Sequence, residues 1–182
     1  MPLILGIDPS LRHTGLCLKD GNNLTFHEIK TKSLDVLSAS ELIREEFFKF
    51  VEETGCSNCS VSMEKQLSVG ASYSSLMFHV QMNMLQAIKL QWVKPFNLIM
   101  PLPVHLLSYL KRVYGLKPSR EASPVVKLFK ETTLYQDRVS VHCVDAYYLA
   151  EIGEKIIRGE HSYNKPKKEK NLTPWRILDG TE

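Results

Sequence analysis

The stretch that decides the fold lies near the start of the chain, where residues 3–20 are LILGIDPSLRHTGLCLKD. Residues 3–8 form a short apolar run that ends in an acid, which predicts a buried strand. Residues 9–13 predict a turn, and residues 14–19 predict a second strand. Because only a short turn separates these strands, we expect them to pair antiparallel.

Outward from this stretch, the sequence predicts alternating strands and helices. Asp20-Gly21-Asn22-Asn23 predicts a hairpin turn into a third strand. The third strand is predicted over residues 24–30, with further strands over residues 60–64 and 96–100. A first helix is predicted from Ser38 or Ser40 to about residue 53. Further helices are predicted over residues 72–89, 103–114 and 141–158, and a short helix that ends at about residue 131 is predicted before the last of these. This order predicts an α/β fold with a mixed five-stranded sheet, an antiparallel meander of three strands plus two parallel strands, and helices on both faces.

Length and composition fit one globular domain, since the chain has 182 residues, of which 43% are hydrophobic and 24% charged. We assign residues 1–159 to this domain and expect residues 160–182 to form a basic, flexible tail. The first residues lack the basic region of a signal peptide, and no apolar run approaches the roughly 18 residues of a membrane span. We therefore expect a cytoplasmic, intracellular protein.

The net charge of +3 hides a segregation of charge along the chain. Residues 89–130 contain eight Lys or Arg residues and one acid, Glu121. Such a stretch indicates an anionic partner, with nucleic acid as the first candidate. The alternative is a lysine-rich helix surface that serves only solubility.

Acidic residues fall where chemistry is expected in an α/β fold. Asp8 and Glu64 end predicted strands, and ligands bind beyond the carboxyl ends of strands in open sheets. His142 and Asp145 are three residues apart at the start of the last helix, so they project from one face. Three carboxylates and an imidazole from distant parts of the chain are typical of two-metal phosphodiester cleavage.

Each of these residues also has an ordinary structural interpretation. Asp8 can anchor a turn, and Glu64 can pair with a nearby cation. His142 can cap or pack, and Asp145 can simply favour the start of a helix. The joint pattern is more specific than any single member.

Three motifs carry a resemblance to a known family. Residues 4–15 (ILGIDPSLRHTG), 62–66 (SMEKQ) and 142–146 (HCVDA) resemble, in order and separation, the three motifs of RuvC-type Holliday junction resolvases. The resemblance covers about residues 3–157, and the strand order is similar to the ribonuclease-H-like fold of that family. It implies Mg²⁺-dependent cutting of four-way DNA junctions by a homodimer, with symmetric nicks.

Carried over residue by residue, the resemblance implies that Asp8, Glu64, His142 and Asp145 are both catalytic residues and ligands of two metal ions. An acid occupies the position of His142 in many members, and an imidazole suits Mn²⁺ as well as Mg²⁺. His142 is expected either to ligate one metal or to position the water.

The same reasoning predicts the residues that contact DNA. Lys65 and Gln66 follow Glu64 and are expected beside the strand that is cut, and Leu67 stands where many members place an aromatic wedge. In the basic stretch, residues expected to face phosphates are Lys111, Lys117, Ser119 and Arg120.

Two further features are open to more than one interpretation. Cys56 and Cys59 form a Cys-x-x-Cys, for which we favour a solvent-exposed turn over a zinc site, because no second pair follows at a suitable spacing. Cys17 and Cys143 fall on predicted buried elements. The helix predicted over residues 72–89 is apolar almost all round, which indicates either deep burial or a homodimer interface.

Two rival functions remain at this point. One is a non-catalytic junction-binding or architectural DNA protein. The other is a ribonuclease-H-like or actin-like phosphotransferase, although no further Gly-rich phosphate-binding loop or Walker loop is visible.

Overall fold

The computed structural model describes residues 2–32, 35–65, 72–92, 94–116, 123–133, 135, 137–160 and 175–177. Its strands are β1 (Leu3–Asp8), β2 (His13–Asp20), β3 (Asn23–Lys30), β4 (Ser60–Met63), β5 (Phe96–Ile99) and β6 (Trp175–Ile177). They form one sheet in the order β3-β2-β1-β4-β5-β6. β2 pairs antiparallel with β1 and with β3, whereas β4 pairs parallel with β1 and with β5.

The predicted mixed sheet is confirmed, and a sixth strand extends it. β6 pairs antiparallel with the edge strand β5, with Asn97 opposite Arg176. The sequence pattern did not predict this three-residue strand, which lies within the segment assigned to a tail. Residues 161–174 and 178–182 of that segment lie outside the described residues.

Among the described residues, five helices cover the two faces of the sheet: α1 (Val36–Thr54), α2 (Ser72–Gln91), α3 (Pro103–Tyr114), α4 (Ser123–Thr133) and α5 (Val141–Ile157). The prediction that α1 begins at Ser38 or Ser40 is wrong. Asp35 caps this helix, because its Oδ1 accepts hydrogen bonds from the backbone N–H of Leu37 and Ser38 at 3.0 and 3.1 Å.

The core lies in two layers, one on each face of the sheet. On one face, Leu5 and Ile7 of β1 are buried in the same cluster as Phe47 of α1 and Met84 of α2. The cluster on the other face contains residues of α3, α4 and α5, among them Leu110, Phe129, Val144 and Tyr148. The prediction of helices on both faces is therefore confirmed.

α5 lies directly against the sheet because glycines leave room for its backbone. A Cβ added to Gly6 of β1 would lie 1.9 Å from the backbone O of Ala146, and one added to Gly15 of β2 would lie 2.1 Å from the backbone O of His142. Further along the helix, a Cβ on Gly153 would lie 2.8 Å from Cβ of Ser62 in β4. These contacts set the height of α5 above β1, β2 and β4.

α2 divides its apolar residues between the core and the surface. The buried members are Met77, Val80, Met84, Ala87 and Ile88. Phe78 and Met82, one turn apart, remain 42% and 38% exposed. In the part of the chain that the structure describes, no helix has the length and apolar character needed to cross a membrane.

The expectation of an exposed turn at Cys56 and Cys59 is wrong, because both residues are buried. The backbone N–H of Cys59 donates to the carbonyl of Cys56 at 3.0 Å, which closes the turn. Trp92 covers this turn and donates from Nε1 to the carbonyl of Cys59 at 2.7 Å. Cys17 and Cys143 are buried as predicted, and all four thiols are free.

We expect Gly15→Ala to lower the free energy of unfolding by about 2–4 kcal/mol, because the added Cβ must push α5 away from β2. Urea unfolding followed by circular dichroism measures the loss. The control is Gly55→Ala, whose Cβ meets nothing within 4 Å and whose φ of +64° costs about 1 kcal/mol of strain. Equal losses in the two variants would contradict the close-approach explanation.

Candidate active site

Asp8 and Glu64 lie side by side where β1 and β4 leave the sheet. Ile7 and Met63 are partners in the parallel ladder, so the next residue of each strand occupies the same register. The ladder continues into this position, since the N–H of Glu64 donates to the carbonyl of Ile7 at 3.1 Å. The structure therefore places the two acids next to each other at the carboxyl ends of neighbouring central strands.

Asp8 lies on the face of the sheet that α5 covers, and continued strand alternation would direct Glu64 to the same face. Side chains two residues apart in a strand point to the same face. Gly6 and Ser62 each face the backbone of α5, and Asp8 and Glu64 follow them by two residues. The spacing of these residues therefore predicts that the carboxylates of Asp8 and Glu64 lie below the N-terminal end of α5.

α5 contributes His142 and Asp145 in its first turns. Ser140 caps the helix, with its Oγ accepting from the N–H of Cys143 at 3.3 Å. His142 Nδ1 lies 2.9 Å from Oδ2 of Asp8. Because a carboxylate accepts hydrogen bonds, Nδ1 carries the proton in this contact and Nε2 is left for other partners.

The site is rich in negative charge that the described residues only partly balance. Burial, together with the charge of Asp8, raises the pKa of Asp145 to about 7, and His142 opposes the shift. The hydrogen bond to Asp8 raises the pKa of His142, although burial acts against it. A cation placed among these groups would stabilise the ionised form of Asp145.

The donor chemistry of the four residues suits a hard divalent ion. Carboxylate oxygens are the ligands that Mg²⁺ prefers, and an imidazole is compatible with Mn²⁺. Within the described ranges, however, no three His, Cys, Asp or Glu side chains are already arranged as a metal cage. Asp8 is hydrogen-bonded to His142 instead, so metal binding requires these side chains to move.

The residues predicted to contact DNA are only partly described. Lys65 follows Glu64, its N–H donates to the carbonyl of Pro101 at 2.8 Å, and its side chain is exposed. Lys111 is exposed near the end of α3. This end of α3 contacts α5 through a hydrogen bond that the hydroxyl of Tyr114 donates to Glu151. Glu151 lies about 13.5 Å along α5 from His142. Predicted DNA contacts that lie outside the described residues are Gln66, Leu67, Lys117, Ser119 and Arg120.

Two residues beside the site were missed from the sequence. The ring of His13 stacks on the ring of His142, with centroids 5.3 Å apart and planes 9° apart. Glu28 of β3 lies 3.1 Å from Nδ1 of His13. The hairpin register that aligns Asp8, Gly15 and Glu28 was the signal that could have found this pair.

The raised pKa of Asp145 predicts a pH-dependent stability. An acid whose folded-state pKa exceeds its unfolded value of 3.8 costs stability as pH rises, and the cost is fully present above the folded value of about 7. Without divalent ions, we expect Asp145→Asn to be more stable than the wild type by about 1–3 kcal/mol at pH 8 and by much less at pH 4.

Urea unfolding in EDTA at the two pH values measures this difference. Asp20→Asn, at the exposed end of β2, is the matched control. Its free energy of unfolding should differ little from that of the wild type at either pH. A wild type that is as stable as Asp145→Asn at pH 8 would contradict the electrostatic argument.

Comparisons with known proteins support the fold. No protein-family model and no curated protein sequence matches the chain. Among solved structures, T. thermophilus RuvC in complex with a Holliday junction substrate superposes with a TM-score of 0.69 at 12% identity, covering 97% of this chain and 100% of that one. A second Thermus thermophilus RuvC structure gives a TM-score of 0.63 at 14% identity, covering 87% of this chain and 96% of that one. The structural likeness therefore confirms the predicted resemblance at the level of the fold: over nearly its whole length, this chain has the ribonuclease-H-like fold of RuvC.

Proposed function

We propose that the chain is a metal-dependent endodeoxyribonuclease that cuts branched DNA, with Holliday junctions as the main substrate and paired nicks as the product. The observation that carries the proposal is the meeting of Asp8 with His142 and Asp145, with Glu64 next to Asp8 in the register of the β1–β4 ladder. The likeness to a RuvC bound to a Holliday junction substrate supports the choice of DNA as the partner.

Asp8, Glu64, His142 and Asp145 would hold two Mg²⁺ or Mn²⁺ ions. When bound, the ions lower the pKa of an attacking water and stabilise the leaving oxygen of the phosphodiester. The residues of the chain supply position and charge. Asp8 and Glu64 are fixed by the β1–β4 ladder, whereas His142 and Asp145 are fixed by the close approach of α5 to the sheet.

His142 has two roles compatible with its geometry. Its Nδ1 is directed at Asp8, so the ring is oriented and its other nitrogen, Nε2, is the one that would ligate an ion or hold the water. Asp145 is set deeper than His142 and has a raised pKa, so it becomes a better ligand when a cation approaches.

Cationic residues would bind the DNA backbone around this site. Lys65 is exposed directly after Glu64, and it would contact the strand that is cut together with Gln66, with Leu67 at the position of the wedge. Lys111 lies further away and would contact phosphates together with Lys117, Ser119 and Arg120. Such contacts to phosphates provide affinity without sequence preference.

A homodimer would give the two active sites that paired nicks require. α2 supports this proposal because Phe78 and Met82 form an exposed apolar pair on its surface. Apolar side chains of this size are enriched at the centres of interfaces.

We expect Asp8→Asn to lower the rate of junction cleavage in Mg²⁺ by at least about 100-fold, because it removes a ligand and a charge from the metal site. Binding to the junction should be equal or tighter, since a negative charge near the phosphates is lost. Cleavage of a synthetic four-way junction and a gel-shift titration measure the two effects. Asp20→Asn, with the same chemical change at an exposed position, should behave as the wild type.

The same assay separates the alternatives. A wild type that binds junctions but leaves them intact with Mg²⁺ or Mn²⁺ would favour the architectural protein. A wild type that neither binds nor cuts junctions but transfers phosphate from a nucleotide would favour the phosphotransferase. Cleavage by Asp8→Asn at the wild-type rate would refute the metal assignment.

A second prediction concerns the interface. Met82→Glu should raise the dissociation constant of the dimer by about 10-fold or more, because it replaces one member of the apolar pair with a charged residue. Sedimentation equilibrium measures the effect, and thermal unfolding should show an intact fold because Met82 is partly exposed. Val113→Glu, on an exposed apolar residue of α3, is the control that should leave dimerisation unchanged. A monomeric wild type at micromolar concentration would contradict the dimer.

A further inference from the structure

One row of positions crosses three strands beneath the N-terminal end of α5. Asp8 of β1 pairs with Gly15 of β2, and Gly15 pairs with Glu28 of β3. Directly cross-strand residues point to the same face of a sheet, so both carboxylates face α5. Gly15 between them has no side chain, and the backbone of His142 fills that place.

His142 is therefore held from two sides. Oδ2 of Asp8 lies 2.9 Å from its Nδ1, and the ring of His13 lies almost parallel to its own, with planes 9° apart and centroids 5.3 Å apart. A single hydrogen bond at Nδ1 leaves the ring some freedom of rotation about Cβ–Cγ, because the terminal torsion of a histidine is broad. A stacked neighbour restricts this rotation.

The stacking ring is itself fixed by a carboxylate. Glu28 Oε1 lies 3.1 Å from Nδ1 of His13, and Glu28 Oε2 lies 2.9 Å from Nζ of Lys30. Lys30 is directly opposite His13 in the β2–β3 ladder, so Glu28 bridges two residues that the hairpin register already pairs. With 16% of its side chain exposed, Glu28 is more buried than His13 or Lys30.

We propose that His13, fixed by Glu28, is a positioning residue that holds the imidazole of His142 in the plane that presents Nδ1 to Asp8. This inference rests on the proposed function only for the consequence that the orientation has for cleavage. The arrangement assigns a task to two residues that lie outside the four metal-site residues. His13 acts through His142 and does not itself touch the reacting atoms.

The stacking face is the property that the proposal requires of His13. His13→Ala removes the face, whereas His13→Phe retains an aromatic ring and loses the contact with Glu28. At Glu28, the amide oxygen of Glu28→Gln can still accept a hydrogen bond from His13, whereas Glu28→Ala cannot. The side chain of His13 is 47% exposed, so its removal leaves the core intact.

The first measurement is the ¹⁵N NMR spectrum of the histidine rings in the full chain, which shows which nitrogen of each ring carries the proton. His142→Asn identifies the signals of His142. We expect His13→Ala to shift these signals towards an average of both ring forms. Glu28→Ala and His13→Phe each keep a stacking ring but lose its contact with the carboxylate, so they should shift the signals less, and Glu28→Gln should retain signals close to those of the wild type.

The second measurement is single-turnover cleavage of a saturating four-way junction, with the dissociation constant determined separately. His13→Ala should reduce the cleavage rate about 3- to 10-fold, the range expected for loss of one aromatic stack. The dissociation constant should change less than twofold, and His13→Phe should restore most of the rate. His27→Ala is the control, since it removes a His–Glu pair of β3 with Glu46 and should change neither the His142 signals nor the rate.

The outcomes distinguish this inference from the proposed function. Unchanged His142 signals in His13→Ala would overturn the inference, and so would changed signals with an unchanged cleavage rate. A His13→Phe variant as impaired as His13→Ala would show that stacking is not the cause and would overturn it as well. If the wild type cuts no junction, the proposed function fails, and the ring signals alone still decide whether His13 orients His142.

Discussion

The close approach of α5 to the glycine positions of β1 and β2 is the constraint on which the rest of the structure depends. Gly6 and Gly15 have no Cβ, and the backbone of α5 passes within the space that a methyl group would occupy. Interiors are close-packed and do not absorb such an intrusion without displacement. Any larger residue at either position would lift the helix and separate His142 from Asp8.

The remainder of α5 anchors the helix in this position. Its buried residues Val144, Tyr148 and Ile152 belong to the core on that face of the sheet. Near its end, Glu154 pairs with Lys19 of β2 and with Nη2 of Arg158, the latter at 2.6 Å. Because these contacts along the helix hold it against the sheet, its first two turns can present His142 and Asp145 at the strand ends.

The sequence allowed the main strands, the two acids at their ends and the His142–Asp145 pair to be predicted, because each depends on local periodicity and on general properties of α/β sheets. The start of α1 was misplaced because serines and aspartate are all good caps, and only the geometry selects Asp35. Burial of Cys56 and Cys59 depends on Trp92, a residue more than 30 positions away.

Register explains why His13 and Glu28 were missed. Their contact requires the exact alignment of β2 with β3 and the height of α5, neither of which periodicity specifies.

The contact between Asp8 and His142 also explains how Asp8 and Asp145 can lie close together without a cation. Packing Asp8 close to Asp145 is unfavourable, and the imidazole relieves the repulsion by donating a proton to Asp8. A divalent ion entering the site would compete with that proton for the same carboxylate oxygen, since metal ligands must release their protons. Under the proposed function, the proton and the ion would therefore stabilise the same acids in turn. The stack on His13 would then have a physical role. Once the hydrogen bond to Asp8 is broken, it would still hold the plane of the His142 imidazole.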